Sequence, residues 1–267
     1  MNALRPRRMV ILSCLVFALV ACALVYLHPA LFVDVEEDIA YLLAPSPERA
    51  FAIGERHFNG SDPALYDIDR ASYFFEQAAR VEPNLPYLYH ERARIAFLRG
   101  DFQSALTLIN AQIALEGESE PNSYYVRGLI EGYMQKYDAA AKDYEQFLKT
   151  DPNNWAAIND YSWVLLKANR AKDAFYATSQ GLKTFPDNPW LLNSNAIALY
   201  EMGDLKDAKL VAARAVLMSK KVTVADWLHA YPGNDPKVAE QGVETFKQAT
   251  EVNMHSIIST TTAPALQ

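Results

Sequence analysis

The chain has 267 residues, 51% of them apolar, and a formal charge of −7. That length and composition suffice for a substantial buried core, and the acidic balance argues against a general polyanion binder such as a nucleic-acid protein. Its two cysteines, Cys14 and Cys22, share one apolar stretch near the N-terminus, which excludes a disulfide, a cysteine metal site and a thiol nucleophile from everything that follows.

Residues 1–8 form a basic tail with Arg5, Arg7 and Arg8 and no acid. Met9 to Leu27 then holds no charged residue; as a helix it would measure about 28 Å, close to the ~30 Å of a bilayer core. Apolar character resumes at Ala30-Leu31-Phe32-Val33, and Asp34, Glu36, Glu37 and Asp38 follow. Basic residues before the run and acidic ones after it predict a transmembrane anchor over 9–33 with a cytoplasmic N-terminus. The rest of the chain is then expected on the extracytoplasmic (periplasmic or cell-surface) side. A second reading stays open. Leu19-Val20-Ala21-Cys22 resembles the bacterial lipobox, in which Cys22 becomes the acylated first residue, although Ala23 to Leu27 stay apolar where a lipoprotein would turn polar. Residues 34–46, acidic and then Ala44-Pro45-Ser46, read as a solvated linker.

From Pro47 to Val222 a period emerges, at its most regular between Pro121 and Val222. Ala140, Ala174 and Ala208 are spaced by 34 residues. Gly128, Ser162 and Ala196 form a second column of small residues, and Pro152 and Pro186 precede Asn153-Asn154 and Asp187-Asn188. Apolar residues recur at helical spacing twice per block: Tyr124, Gly128 and Ile130, then Ala140, Tyr144, Phe147 and Leu148. Small residues at both columns let two antiparallel helices approach, and Pro152 stops the second. One such pair cannot bury its apolar face, so pairs must stack. The pattern is looser upstream. Gly54, Ala71, Phe75 and Ala78 fit one block, with an insertion around Asn59-Gly60-Ser61-Asp62-Pro63. Ala93 and Ala105 fit the next, before the loop Gly117-Glu118-Ser119-Glu120. Gly100, Asn169 and Gly203 fall where the chain turns between helices and tolerate positive φ. After Val222 the period fails. A turn-rich connection leads to a helix over Lys237–Ile258, whose Val238, Phe246, Ala249 and Ile257 suit a terminal cap, and 259–267 reads as a frayed tail.

The 34-residue period with these small columns resembles the tetratricopeptide repeat. The resemblance implies an all-α solenoid of about five helix–turn–helix repeats (47–85, 86–120, 121–154, 155–188 and 189–222). A capping segment at 223–258 would follow, and one transmembrane helix would precede. It also implies a concave groove, lined by the second, fifth, ninth and twelfth positions of each first helix. That register places Phe51, Glu55 and Phe58 there, then Tyr87, His90, Arg94 and Phe97. The third repeat contributes Tyr125, Leu129 and, one place later, Tyr133; the fourth Asn159, Trp163 and Leu166; the fifth Trp190, Asn193, Ile197 and Tyr200. Asn159 and Asn193 share a column, where an amide can both donate to and accept from an extended peptide. The aromatics beside them have the composition of binding hot spots. In the competing reading Trp163 and Trp190 pack between helices, or the C-terminal helix fills the groove. Only Arg94 supplies a cation, so the lining departs from the basic clamp that some members of the family use for a terminal carboxylate.

His28, His57, His90, His229 and His255 form no i,i+4 pair, and neither a phosphate loop nor a nucleophile elbow occurs. The expectation is a protein without enzymatic activity, cofactor or metal. It would bind a protein or peptide from a membrane tether, as an envelope assembly or scaffolding factor. The alternative is a structural protein that self-associates.

Overall fold

The structure, a computed structural model, describes residues 29–262 apart from Ser61 and Pro232. The basic tail and the apolar run 9–28 of the expected anchor lie outside the described residues. Among those described, all regular structure is helical, and no helix is long and apolar enough to cross a membrane. The chain divides into two compact units, one ending at Pro83 and one starting at Asn84.

The first unit contains α1 (Pro29–Leu43), α2 (Pro47–Asn59) and α3 (Ile68–Val81). Ser46 starts α2 by accepting from the Arg49 amide at 3.1 Å, and Pro47 takes the first helical position, where its missing N–H costs nothing. Gly54 brings α2 and α3 together: a Cβ there would lie 2.6 Å from the Phe75 ring. The insertion between them folds into a single turn at Pro63–Leu65, capped by Asp62. The expected linker over 34–46 differs. Most of it is the second half of α1, because Asp34, Glu37, Asp38 and Tyr41 recur at i, i+3, i+4 and i+7 and so share one helix face. That face is not solvated throughout, since Glu37 is only 7% exposed.

In the second unit the helices pair as hairpins: α4 (Leu88–Leu98) with α5 (Phe102–Glu116), α6 (Asn122–Tyr133) with α7 (Tyr137–Thr150), α8 (Trp155–Lys167) with α9 (Ala171–Thr184), and α10 (Pro189–Glu201) with α11 (Leu205–Ser219). Each second helix also packs on the next first helix. The small columns sit where the helices cross, with Ala93, Ala105, Ala140, Ala174 and Ala208 all fully buried. Tyr144 occupies the space left by Gly128, whose Cβ would lie 3.2 Å from that ring and 3.3 Å from the Ala140 carbonyl oxygen. The asparagine after each proline break caps the following helix: Asn154 accepts from the Ala157 amide and Asn188 from that of Leu191, both at 3.0 Å. Gly100, Asn169 and Gly203 have φ of 77°, 59° and 85°, as the turns require, and Gln135 does the same work in the third repeat at 62°.

Beyond the repeats, α12 (Val224–Ala230) opens on a capping box of Thr223 and Asp226. The last helix, α13 (Ala239–Thr262), runs along α11 and reaches α10. Ile257 joins Ala196, Leu199, Ala208 and Ala212, while Val243 and Phe246 join Trp190, Val222 and Trp227.

Candidate functional site

Two places concentrate polar chemistry. The first holds α1 on its unit. The Arg70 guanidinium lies 3.3 Å from Asp34 Oδ1, 3.2 Å from Glu37 Oε2 and 2.9 Å from Asp38 Oδ1. Arg56 Nη1 is 3.0 Å from Glu37 Oε1, close enough for charge attraction but not aligned as a hydrogen bond. His57 is buried among them. Its Nδ1 donates to the Leu65 carbonyl at 2.8 Å, and its Nε2 lies 2.7 Å from Glu37 Oε2. Asp34, Glu37 and His57 offer ligand atoms within 4.8 Å of one another. The donor set would suit a divalent cation, but Arg70 Nε, 3.0 Å from His57 Nε2, already brings a positive charge to that place. The cluster therefore works as a latch rather than as a metal centre.

The second place is the first-helix face of the array. Phe97, Tyr133 and Trp163 form a continuous series of rings from α4, α6 and α8, with centroids 5.1 Å and 5.6 Å apart. Tyr133 is 55% exposed. Gly132 makes this series possible, since a Cβ there would lie 2.7 Å from the Trp163 ring. Leu129 of α6, Leu166 of α8, and Ile197 and Tyr200 of α10 are half-buried. Arg94 is tied to Glu91, with Nη1 2.9 Å from Oε2.

Several residues expected on this face are engaged elsewhere. His90 is buried, stacks on Tyr87 at 4.2 Å and meets Ser123 Oγ at 3.2 Å; burial pushes its pKa down to about 3, so it packs as a neutral ring. Trp190 is 6% exposed: Phe246 of α13 stacks on it at 4.5 Å, and its Nε1 donates to the Tyr231 hydroxyl at 3.0 Å. Asn193 accepts from Asn253 of α13 at 3.0 Å. Asn159 accepts from Ser194 Oγ at 2.9 Å and donates to Asp160 Oδ1 at 3.3 Å. The amide pair thus spends these hydrogen bonds inside the fold, and at Trp190 and Asn193 the C-terminal helix is the occupant. In the first unit Phe58 is buried and Phe51 packs on Phe75 at 5.4 Å, while Glu55 accepts from Asn59 at 3.1 Å.

The same face holds a residue that the register skipped. Asp160, beside Asn159 on α8, keeps part of its surface open, and its Oδ2 accepts from the Tyr125 hydroxyl at 2.7 Å. Burial pushes its pKa up to about 6, against the pull of the hydrogen bonds from Tyr125 and Asn159. Burial first, and the Asp160 charge second, raise the phenols of Tyr125, Tyr133, Tyr144 and Tyr231, the last to about 12. The signal for this contact is in the sequence: Asp160 follows Tyr125 by 35 residues, one period plus one.

Residues 125–189 match the family model described as tetratricopeptide repeat. A human protein, RNA polymerase II-associated protein 3, is 33% identical over 92 residues, which is 34% of this chain and 14% of that protein, so the match spans only about a seventh of the relative. Among solved structures, a double mutant of MamA RS-1 superposes with a TM-score of 0.58 at 16% identity, covering 67% of this chain and 97% of that one. MamA AMB-1 gives 0.57 at 16% identity, covering 65% and 99%. At such identities the likeness is one of fold.

Proposed function

Because the chain carries tetratricopeptide repeats, the architecture of a protein-interaction module, we propose that its first-helix face binds a protein or peptide partner. The observation that carries this reading is the ring series Phe97, Tyr133 and Trp163. It lines one face with aromatic surface, more than half of Tyr133 is open, and nothing from α13 is stacked on it. Tyr133→Ala with Trp163→Ala should abolish in-cell crosslinking to a partner while the helical content stays unchanged. Crosslinking that survives both changes would sink the assignment of this face.

The module works from a membrane tether, with its N-terminus cytoplasmic and its repeats extracytoplasmic, as an assembly or scaffolding factor of the cell envelope. The charge asymmetry around residues 9–33 supports this. So does the outer side of α1, where Phe32, Val35, Ile39, Leu42 and Leu43 are all exposed, the last two at 80% and 79%. Protease added to intact spheroplasts should digest the repeats; protection would reverse the orientation. Cys22→Ser should leave membrane attachment intact, whereas its loss would establish acylation at Cys22. Concentration-dependent sedimentation of the purified chain would redirect the reading to self-association.

A further inference from the structure

Among the described residues, the buried Glu37, Glu91 and Asp143 and the partly open Asp160 are four carboxylates set into the fold, and three have a cation. Glu37 has Arg56 and Arg70, Glu91 has Arg94 at 2.9 Å, and Asp143 has Arg127 at 2.6 Å. Asp160 is the fourth. Its hydrogen bonds come from neutral groups, the Tyr125 hydroxyl and the Asn159 amide, and no lysine or arginine pairs with it among the described residues. A desolvated charge without a counter-charge is costly, and such a group persists where a binding task maintains it. A second observation points to the same spot. The hydroxyl of Tyr144, a fully buried residue, has no hydrogen-bond partner, and its ring packs at 5.6 Å on Tyr125, the residue that donates to Asp160. The surroundings suit a cation from outside. Tyr125 gives Asp160 its hydroxyl and packs its ring against Tyr144 at 5.6 Å, and Asp160 itself keeps an opening to the surface.

We propose that Asp160 and its tyrosines form a specificity pocket for one lysine or arginine side chain of the protein partner, which supplies the missing counter-charge. This rests on the reading of the array as a protein-binding module and adds the chemistry of the residue that it takes. Tyr125 of α6 and Asn159 of its own helix hydrogen-bond to Asp160; Tyr133 of α6, Tyr144 of α7 and Tyr231 after α12 feel its charge, and Arg94 of α4 acts on Tyr125. All four phenols stay protonated at neutral pH, so Asp160 is the member that titrates, and a basic side chain loses its hold as pH falls through about 6.

A random-peptide phage library panned at neutral pH on the full chain, wild type beside Asp160→Asn, tests this. Melting curves establish that the variant is folded; removal of an unpaired charge should not lower its midpoint. Peptides enriched on wild type should be biased toward lysine or arginine, and the bias should vanish on Asp160→Asn. For one synthesised winner, replacing the basic residue by glutamine should weaken binding about tenfold on wild type and less than about twofold on the variant. Winners without a basic bias, or a bias that survives on Asp160→Asn, overturn the pocket and leave the binding module standing. Failure to enrich any peptide on either form overturns both.

Discussion

The first and last described helices each cover a helix pair, by opposite means. α1 is held by charge: Arg56, Arg70 and His57 grip Asp34, Glu37 and Asp38, and Arg49 Nη1 donates to the carbonyls of Ala40 and Ala44 at 2.6 Å and 2.9 Å. α13 is held by apolar contact: Phe246 on Trp190, Val243 on Trp227, and Ile257 among alanines, with Ser219 and Thr250 hydrogen-bonded at 3.0 Å. Apolar burial is untouched by the screening of charge and nearly so by pH, whereas ion pairs depend on both. The N-terminal closure is therefore conditional and the C-terminal one is not.

The largest effect should come from Trp190→Ala, which empties the site between Trp155 and Phe246. A loss of about 3–5 kcal/mol is expected, visible as a lowered thermal midpoint at any ionic strength. Arg70→Met should come next. It takes one cation from Asp34, Glu37 and Asp38, of which only Glu37 is buried and keeps Arg56, so a cost of about 1–2 kcal/mol should fall on α1, measured as faster amide exchange over Pro29–Leu43 with little change in α13. Equal exchange in both helices would erase that contrast.

Asp160→Asn sharpens it from within the aromatic region. The carboxyl of Asp160 has a folded pKa of about 6, above the ordinary 3.8, so the folded state holds the proton more tightly than the unfolded chain does. The cost of ionised Asp160 is therefore full above about pH 6 and fades as pH falls toward 4. The variant should be more stable than wild type by about 2 kcal/mol at pH 8, and the gap should close across that window in pH-resolved melts. Least of all, Gln135→Gly relieves a left-handed backbone position at φ 62° and should stabilise by up to about 1 kcal/mol in urea unfolding.

The scaffold was legible because its signals are periodic. Alanines 34 residues apart and an asparagine after each proline break state their own partners. The acidic stretch of α1 was not legible, since acids facing water and acids facing Arg70, up to 36 residues away, look alike in a sequence. On the candidate face the register names Phe97, Tyr133 and Trp163, whose rings meet, and also Asn193 and Trp190, which meet α13 as the competing reading of the sequence had it. Their partners Asn253 and Phe246 belong to a helix outside the period. Asp160 escaped for a narrower reason: it sits one place off the column that was followed, and its partner Tyr125 lies on another helix.

The insertion in the first repeat carries a consequence for how this protein could diverge. Its turn at Pro63–Leu65 supplies the Leu65 carbonyl that fixes the His57 ring, and His57 in turn presents Nε2 to Glu37. The extra loop and the acidic helix thus form one heritable unit. A lineage that trimmed the loop to ordinary length would release the ring and leave Glu37 to Arg56 and Arg70 alone.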